Sequence, residues 1–375
     1  MHVGLNLVYL VPGETGGMEV FARELIPELA ALPGVRITAF VNREAAARGD
    51  GPWGELVPMQ VVPVKARNRL AWVWGEQRSL PRMAATSGCD VVHSLASTAP
   101  LHGPFARVTT IHDLNYRLVP ESHFGVLGLG MRVLVPAAAR RSHRVIVDAE
   151  STREDLARHL GTPRGKVDVA PLGVSVPDVA PTSEAELRAK LNLDDRPLVL
   201  SLSAKRPHKN LPRLLRAVAA LATDQRPSLV VPGYATPHER ELRELAAALG
   251  IADRVRLPGW LPPEDVEGLY TGATCVVFPS LYEGFGLPVL EAMVRGVPVA
   301  CSNRSSLPEV AGDAALLFDP EDVGAIRAAL ERLLVDSGLR ARLSKAGREQ
   351  VAGFTWRRTA ELTAASYERA LAERR

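Results

Sequence analysis

The chain has 375 residues, 46% of them hydrophobic, and its 45 basic and 42 acidic side chains leave a formal net charge of +3. A single core stops growing at about 250–300 residues, so two domains are expected. A near-neutral balance without a basic stripe or a long like-charge tract excludes a dedicated nucleic-acid binder and wholesale disorder. The basic set itself is lopsided, with 39 arginines and six lysines. Each lysine is therefore informative, and Lys205 and Lys209 fall within one five-residue span.

In chain order, the first apolar run, Val3 to Val11, has no basic segment before it and no small-residue cleavage site after it, so it reads as a strand rather than a leader. Further strands are predicted at Arg36–Val41, Val57–Val64, Asp90–Ser94, Val108–Ile111, Arg144–Val147 and Val167–Ala170. A helix is expected over Glu19–Leu32, and another from Ser151, where Ser151-Thr152-Arg153-Glu154 has the form of a capping box. The proline-rich stretch Val176–Ser183 lacks periodicity and reads as a linker.

The alternation then restarts. Strands are predicted at Pro197–Leu202, Ser228–Val231, Arg254–Leu257, Thr274–Phe278 and Pro298–Cys301. Helices are expected from Asn210, over Pro237–Leu249 and Pro263–Tyr270, from Pro288, and from Asp322 to the C-terminus, the last being Thr355–Arg374. Strands alternating with helices throughout imply α/β architecture with parallel sheets. The expected division is 1–176, a linker at 177–186, 187–354, and a final helical segment 355–375. Two such halves are expected to face each other across a cleft, with ligands beyond the carboxyl ends of the strands.

Cys89, Cys275 and Cys301 show no C-x-x-C spacing, and each lies in or beside an apolar stretch, as buried reduced thiols of a cytoplasmic protein do. No apolar segment approaches the roughly 20 residues of a membrane span. The chain is expected to be soluble and without a membrane-spanning segment, peripheral contact with the inner membrane face staying open.

Four stretches can carry chemistry. In Pro279–Glu291 a strongly apolar strand leads into a two-glycine loop, and Pro288 suits the first turn of a helix. Backbone N–H groups around Gly286–Val289 then suit an anion or a hydroxyl. Glu283 in the loop and Glu291 about one turn into the helix suit sugar hydroxyls, which need fixed acceptors. The same residue types equally suit a solvated loop and a helix-dipole partner. Ser201–Asn210 follows a strand and precedes a helix for which Asn210 is a good N-cap. Its cations Lys205, Arg206 and Lys209 suit a diphosphate, or simply a solvated basic turn. The loop Pro12–Glu19, with Gly16 and Gly17, lacks the spacing of a dinucleotide fingerprint or a P-loop. His112 and Asp113 end a strand and suit either acid/base work or a structural hydrogen bond. There is no zinc-type cluster, no G-x-S-x-G elbow and no Asp-x-Asp clamp for a metal–diphosphate complex.

Together these stretches resemble the family 4 glycosyltransferases, the retaining group with the GT-B fold, along essentially the whole chain. Glu283–Glu291 matches that family's Glu-x7-Glu motif, and Gly296-Val297-Pro298-Val299, Phe278-Pro279-Ser280, Lys209-Asn210, Arg256–Leu261 and Gly16-Gly17 fall in the family's order. The resemblance implies two Rossmann-like parallel α/β domains, the first holding the acceptor and the second a sugar nucleotide. Glu291 is implied to bind the ribose, and Glu283 with the backbone of Gly284, Phe285, Gly286 and Leu287 the transferred sugar. Lys209 and a neighbouring cation are implied to neutralise the leaving diphosphate, assisted by Gly16-Gly17. Pro258, Gly259, Trp260 and Leu261 are implied to frame the nucleobase, and His112 to contact an outer hydroxyl of the sugar. The last helix is implied to cross back onto the first domain.

One departure stands out. Members of the family carry an arginine after a glycine shortly before the lysine, where this chain reads Leu202-Ser203. Lys205 or Arg206 must take its place, and Arg206 is favoured because its planar fork engages two phosphate oxygens. The resemblance implies a metal-independent hexosyltransferase with no cofactor. Its donor is GDP-mannose first and a UDP-hexose second, because Ile111–Leu114 with Pro120-Glu121 is most similar to mannosyltransferases of polysaccharide assembly. A glycan, a lipid-linked glycan and a small molecule all stay open as acceptor, as does the oligomeric state. A sugar-nucleotide 2-epimerase and a non-catalytic sugar-nucleotide-binding protein are the alternatives.

Overall fold

In the computed structural model, residues 1–49, 51–119 and 125–374 are described. They form two compact units, residues 1–173 with 354–375 and residues 174–353. In the first unit, β1 (His2–Leu7) leads through a glycine loop into α1 (Gly17–Ala30) and β2 (Arg36–Val41). Short helices α2 (Arg43–Arg48) and α3 (Pro52–Glu55) precede β3 (Met59–Val61). Then α4 (Arg69–Trp74) widens into a π-helical segment, Gly75–Ser79, and tightens again as α5 (Leu80–Thr86). Strands β4 (Val91–Ser94) and β5 (Ala106–Thr110), helices α6 (Asn115–Leu118) and α7 (Gly125–Arg141), β6 (Arg144–Val147), α8 (Glu150–Leu160) and β7 (Val167–Val169) follow. The seven strands form one sheet in the order β3-β2-β1-β4-β5-β6-β7, every pair parallel.

A parallel sheet must be covered on both faces, so its strands are apolar along their length. All six residues of β1 are buried. On one side Ile111, Val145, Val147 and Leu156 join Val135 and Ala139 of α7 in a common core.

The second unit opens with a stretch free of helix and strand up to α9 (Glu184–Leu191), which takes in the end of the expected linker. It continues through β8 (Leu198–Leu200), α10 (Leu211–Ala219), β9 (Ser228–Val230), α11 (His238–Ala248), β10 (Val255–Arg256), α12 (Pro263–Gly272) and β11 (Ala273–Phe278). After these come α13 (Leu287–Val294), β12 (Val299–Ser302), α14 (Leu307–Ala311), β13 (Ala315–Phe318), α15 (Val323–Val335) and α16 (Ser337–Val351). The six-stranded parallel sheet runs β10-β9-β8-β11-β12-β13. Its core draws on Val199, Leu214, Val218, Leu229, Cys275, Val277 and Leu330. The last helix, α17 (Trp356–Arg374), belongs to the first unit, where it packs on α1, β5 and β6. All three cysteines are buried and free.

Several elements differ from expectation. Only Met59–Val61 of the predicted Val57–Val64 strand pairs with β2, which ends at Val41, while Val57 makes an isolated bridge to Trp53. The helical run from Arg69 to Thr86 had no sequence prediction, its period being broken by Gly75 and Pro81. Strand β13 was also unanticipated; three of its residues, Ala315-Leu316-Leu317, are helix formers held in a strand by pairing with β12. Helix α8 starts one residue before Ser151, with Ala149 at the N-cap and no side-chain cap, so the expected capping box does not form. Pro120 and Glu121 lie outside the described residues. No helix of the described residues is long and apolar enough to cross a membrane.

Candidate active site

In the second unit the chain steps outward from β8 to β9 and β10, then returns to lay β11 against the other side of β8. The loops after β8 and β11 therefore diverge, and this reversal is where open α/β sheets bind ligands. The loop after β8 carries Lys209 at the end of a 3₁₀ turn, Pro207–Lys209. The loop after β11 carries Glu283. Lys209 Nζ donates to Glu283 Oε1 at 2.7 Å, with both side chains largely buried, and lies 5.3 Å from the centre of the Phe278 ring.

The Glu283 loop is fastened from behind by hydroxyls. Ser306 Oγ donates to the Phe285 carbonyl at 2.6 Å and to the Glu283 carbonyl at 3.1 Å, and Ser305 Oγ also reaches the Glu283 carbonyl. The loop ends at Gly286, whose φ of +114° is left-handed and whose missing Cβ would stand 2.7 Å from Leu307 Cδ2. Both facts demand glycine there. Helix α13 starts at Leu287 with Pro288 in its first turn. Glu291 accepts a 3.0 Å hydrogen bond from the Tyr270 hydroxyl. Burial raises the Glu291 pKa, opposed by that bond and by the charge of Arg295.

Asn210 is not the cap it was expected to be. It occupies the N-cap position of α10, but its φ of +59° is left-handed, and a side-chain cap needs extended backbone. Its Nδ2 instead donates to the carbonyls of Pro279 at 3.0 Å and Pro320 at 2.7 Å, joining the ends of three loops.

The two alternative cations separate cleanly. Lys205 is fully buried, and its Nζ donates to the carbonyls of Gly233 and Pro258. Burial lowers its pKa, partly offset by Glu239. An ammonium so engaged has no donor facing a diphosphate, which corrects its assignment as a phosphate ligand. Arg206 is exposed. In the loop after β10, Gly259 accepts from the Gly233 N–H at 3.2 Å, Leu261 is half-buried, and Trp260 stacks on Tyr234 with ring centres 4.9 Å apart.

The first unit has its own reversal, between β1 and β4. Gly16 is the N-cap of α1 at φ +62°, and nothing lies within 4 Å of where a Cβ on Gly16 or Gly17 would be. This loop therefore admits close approach of a ligand to backbone. His112 donates from Nδ1 to Asp148 Oδ2 at 2.7 Å and from Nε2 to the Leu95 carbonyl at 2.9 Å, with Phe21 edge-on at 4.8 Å. A backbone carbonyl at one nitrogen and a carboxyl group at the other favour the protonated ring. The expected contact to a sugar hydroxyl finds no open ring nitrogen, because Asp148 and Leu95 occupy both. Burial alone would lower the His112 pKa, but Asp148 and the Leu95 carbonyl together raise it. A raised folded pKa gives stability that is complete below the unfolded value of about 6.5 and is lost as pH rises through the folded pKa. Denaturation of wild type and His112→Gln is therefore expected to show a gap that is widest at acid pH and narrows on raising it; a gap that widens refutes the imidazolium.

Four contributors, one of them a serine pair, had no motif to reveal them. Asp148 follows the end of β6, a position that is the only sequence hint of it. Tyr270 reaches Glu291 from α12, and Ser305-Ser306 reach the Glu283 loop from beyond β12. The fourth is Glu76 in the π-helical segment, 1% exposed, accepting from Asn6 Nδ2 at 2.8 Å and Thr98 Oγ1 at 2.9 Å. Burial pushes its pKa up to about 7. Among the described residues no group of three or more His, Cys, Asp or Glu could hold a metal ion.

Comparison with known proteins adds to this geometry. Residues 183–350 match the family model described as glycosyl transferases group 1, and residues 15–177 match that of glycosyltransferase family 4. The chain is 34% identical to the O-antigen chain mannosyltransferase B of Escherichia coli over 70% of each chain. It is also 34% identical to the D-inositol 3-phosphate glycosyltransferase of Streptomyces avermitilis, over 96% of this chain and 84% of that one. Its fold is similar to that of sucrose-phosphate synthase from Thermosynechococcus elongatus, with a TM-score of 0.79 at 23% identity over 99% of both chains. The matches to both halves and the identity to these relatives place the chain in the family 4 glycosyltransferases, with their GT-B fold.

Proposed function

We propose that the chain is a retaining hexosyltransferase that moves mannose from GDP-mannose to a hydroxyl of a growing polysaccharide or a related glycan. The observation that carries the reading is the Lys209–Glu283 pair at the β8/β11 reversal, with Glu291 one turn into α13. In this reading Lys209 leaves Glu283 for the leaving diphosphate, and Arg206 supplies the second cation. Glu283 and the Gly284–Leu287 backbone hold the transferred sugar, Glu291 takes the ribose hydroxyls, and the Pro258–Leu261 loop frames the base. The Gly16-Gly17 backbone assists at the diphosphate. His112 holds the Leu95 loop.

With Glu283 given to the hydroxyls of the transferred sugar and Glu291 to the ribose, this reading leaves no carboxylate to attack C1. Substitution on one face is therefore assigned. The C1–oxygen bond to diphosphate breaks with its electron pair on the leaving oxygen. The acceptor oxygen then bonds to C1, and its proton passes to the departing phosphate.

The mannose assignment draws on the similarity to the O-antigen chain mannosyltransferase. The similarity to D-inositol 3-phosphate glycosyltransferases favours a second reading with an inositol phosphate as acceptor, to which we join a UDP-hexose as the second donor. Buried free cysteines support work in the cytoplasm.

Thermal melting with GDP, UDP and ADP tests the donor. A nucleotide at about 100 times its Kd adds about 2.7 kcal/mol to the folded state, so GDP is expected to give the largest rise; a larger rise with UDP selects the second reading. With two cations at the diphosphate and no metal clamp in the sequence, transfer is expected to persist in excess EDTA. Loss of activity that Mg²⁺ restores refutes metal independence, and formation of an epimer from the sugar nucleotide alone refutes transfer as the reaction.

A further inference from the structure

Fully buried lysines are rare unless paired, and Lys205 is fully buried in a chain with only six lysines. Its Nζ lies 2.6 Å from the Gly233 carbonyl oxygen, donates also to the Pro258 carbonyl, and is 3.8 Å from Glu239 Oε2. The Lys205 carbonyl in turn accepts from Thr236 Oγ1. One side chain thus ties together the loops that follow β8, β9 and β10, three neighbouring strands on one side of the sheet reversal. Backbone bonds run alongside: Ser203 N–H to the Pro232 carbonyl at 3.1 Å and Gly233 N–H to the Gly259 carbonyl at 3.2 Å. The approach leaves no room for a side chain at Gly233, where a Cβ would stand 2.3 Å from the Ser203 carbonyl oxygen. The result of this tie is visible outside it. Tyr234 from the β9 loop and Trp260 from the β10 loop are stacked with their planes 26° apart, and Trp260 is 69% exposed. A methionine would fill the slot sterically but would leave both carbonyls without their donor.

We propose that Lys205 is a positioning residue for the donor's nucleobase: it locks the β9 and β10 loops so that Tyr234 and Trp260 form a stacking seat for the base. The inference rests on the sugar-nucleotide reading above and divides the basic loop by task, with Arg206 and Lys209 on the diphosphate and Lys205 on the base.

The test is calorimetric binding of GDP, UDP, ADP and inorganic pyrophosphate to the full chain. Lys205→Met is expected to weaken the preferred nucleoside diphosphate about tenfold, the scale of a lost base–aromatic stack, and to leave pyrophosphate within about twofold. Trp260→Ala, at an exposed position, is expected to give the same split. The double variant is expected to bind no more weakly than the weaker single, because both act through one seat. Equal losses for pyrophosphate and nucleotide, or additive losses in the double variant, overturn the proposal. Should Lys205→Met lack a cooperative melting transition, Thr236→Val is read in its place. It removes only the hydroxyl tie to the Lys205 carbonyl and must show the same selective loss, smaller in size. A wild-type chain that binds none of the three nucleotides defeats the donor reading and this inference with it. A wild-type chain that binds one, with variants that lose pyrophosphate equally, defeats the Lys205 assignment alone.

Discussion

Replacing Lys209 by alanine is expected to lower turnover by more than about 10²-fold, the usual scale for removing a group aimed at developing charge. As the diphosphate departs it gains negative charge in a partly enclosed site, where an ammonium acts far more strongly than in water. The ammonium lies 2.7 Å from Glu283 at the mouth of β8. The loop bearing Glu283 is fastened independently by Ser305 and Ser306, and Asn210 is fixed by the carbonyls of Pro279 and Pro320. The substitution is therefore expected to leave the melting temperature within a few degrees, at a cost to stability near the ordinary single-mutant range of about 1 kcal/mol. Single-turnover kinetics on the folded variant check it. Near-native turnover removes Lys209 from the chemistry.

Ending the chain at Gly353 is expected to unfold the first unit and leave the second folded. Helix α17 buries Trp356, Ala360, Thr363, Tyr367 and Ala370 against the first sheet and α1. Burial pulls the pKa of His93 down to about 3, so the ring is neutral, and it binds the Tyr367 hydroxyl at 2.8 Å on one side and Thr110 Oγ1 at 2.8 Å on the other. Thr359 Oγ1 donates to the Pro171 carbonyl, Ser366 Oγ to Asp168, and Arg144 bonds both Asp168 and Glu373. Gly173 sits so close that a Cβ would lie 2.2 Å from the Trp356 nitrogen. Losing two buried aromatics alone costs about 3–5 kcal/mol each, and a typical domain has only about 5–15 kcal/mol. Urea denaturation of the truncated chain should show one transition, that of the second unit. Two cooperative transitions of wild-type amplitude contradict the prediction. Tyr367→Ala in the intact chain should reproduce part of the loss, about 3–5 kcal/mol.

Much of the fold was legible because buried parallel strands must be apolar runs and their connecting helices must show a helical period. Arg36–Val41 and Arg144–Val147 are observed as predicted. Where the period breaks, as at Gly75 and Pro81, or where helix formers are drafted into an edge strand, as at Ala315, Leu316 and Leu317, local pattern carries no signal and the partner decides. The site divides in the same way. Glu283, Glu291 and Lys209 were singled out as candidates by the order of their motifs and the family resemblance these carry. Tyr270 and Ser306, and Asp148 beside His112, have no spacing rule, since each reaches its partner from a neighbouring element.

The scarcity of lysine directed attention to Lys205 and Lys209, and by residue type alone the two were equivalent cations on one loop. Tertiary structure made them opposites: the ammonium of Lys205 is buried among the carbonyls of Gly233 and Pro258, while that of Lys209 meets a carboxylate 74 positions away. The sequence by itself determined two parallel α/β units, because those follow from period and order, and through the family resemblance it named candidate residues for a sugar nucleotide. Only the tertiary structure decided which groups meet. That depends on β8 having β9 on one side and β11 on the other, a strand order set by packing of whole elements and written in no local stretch of the chain.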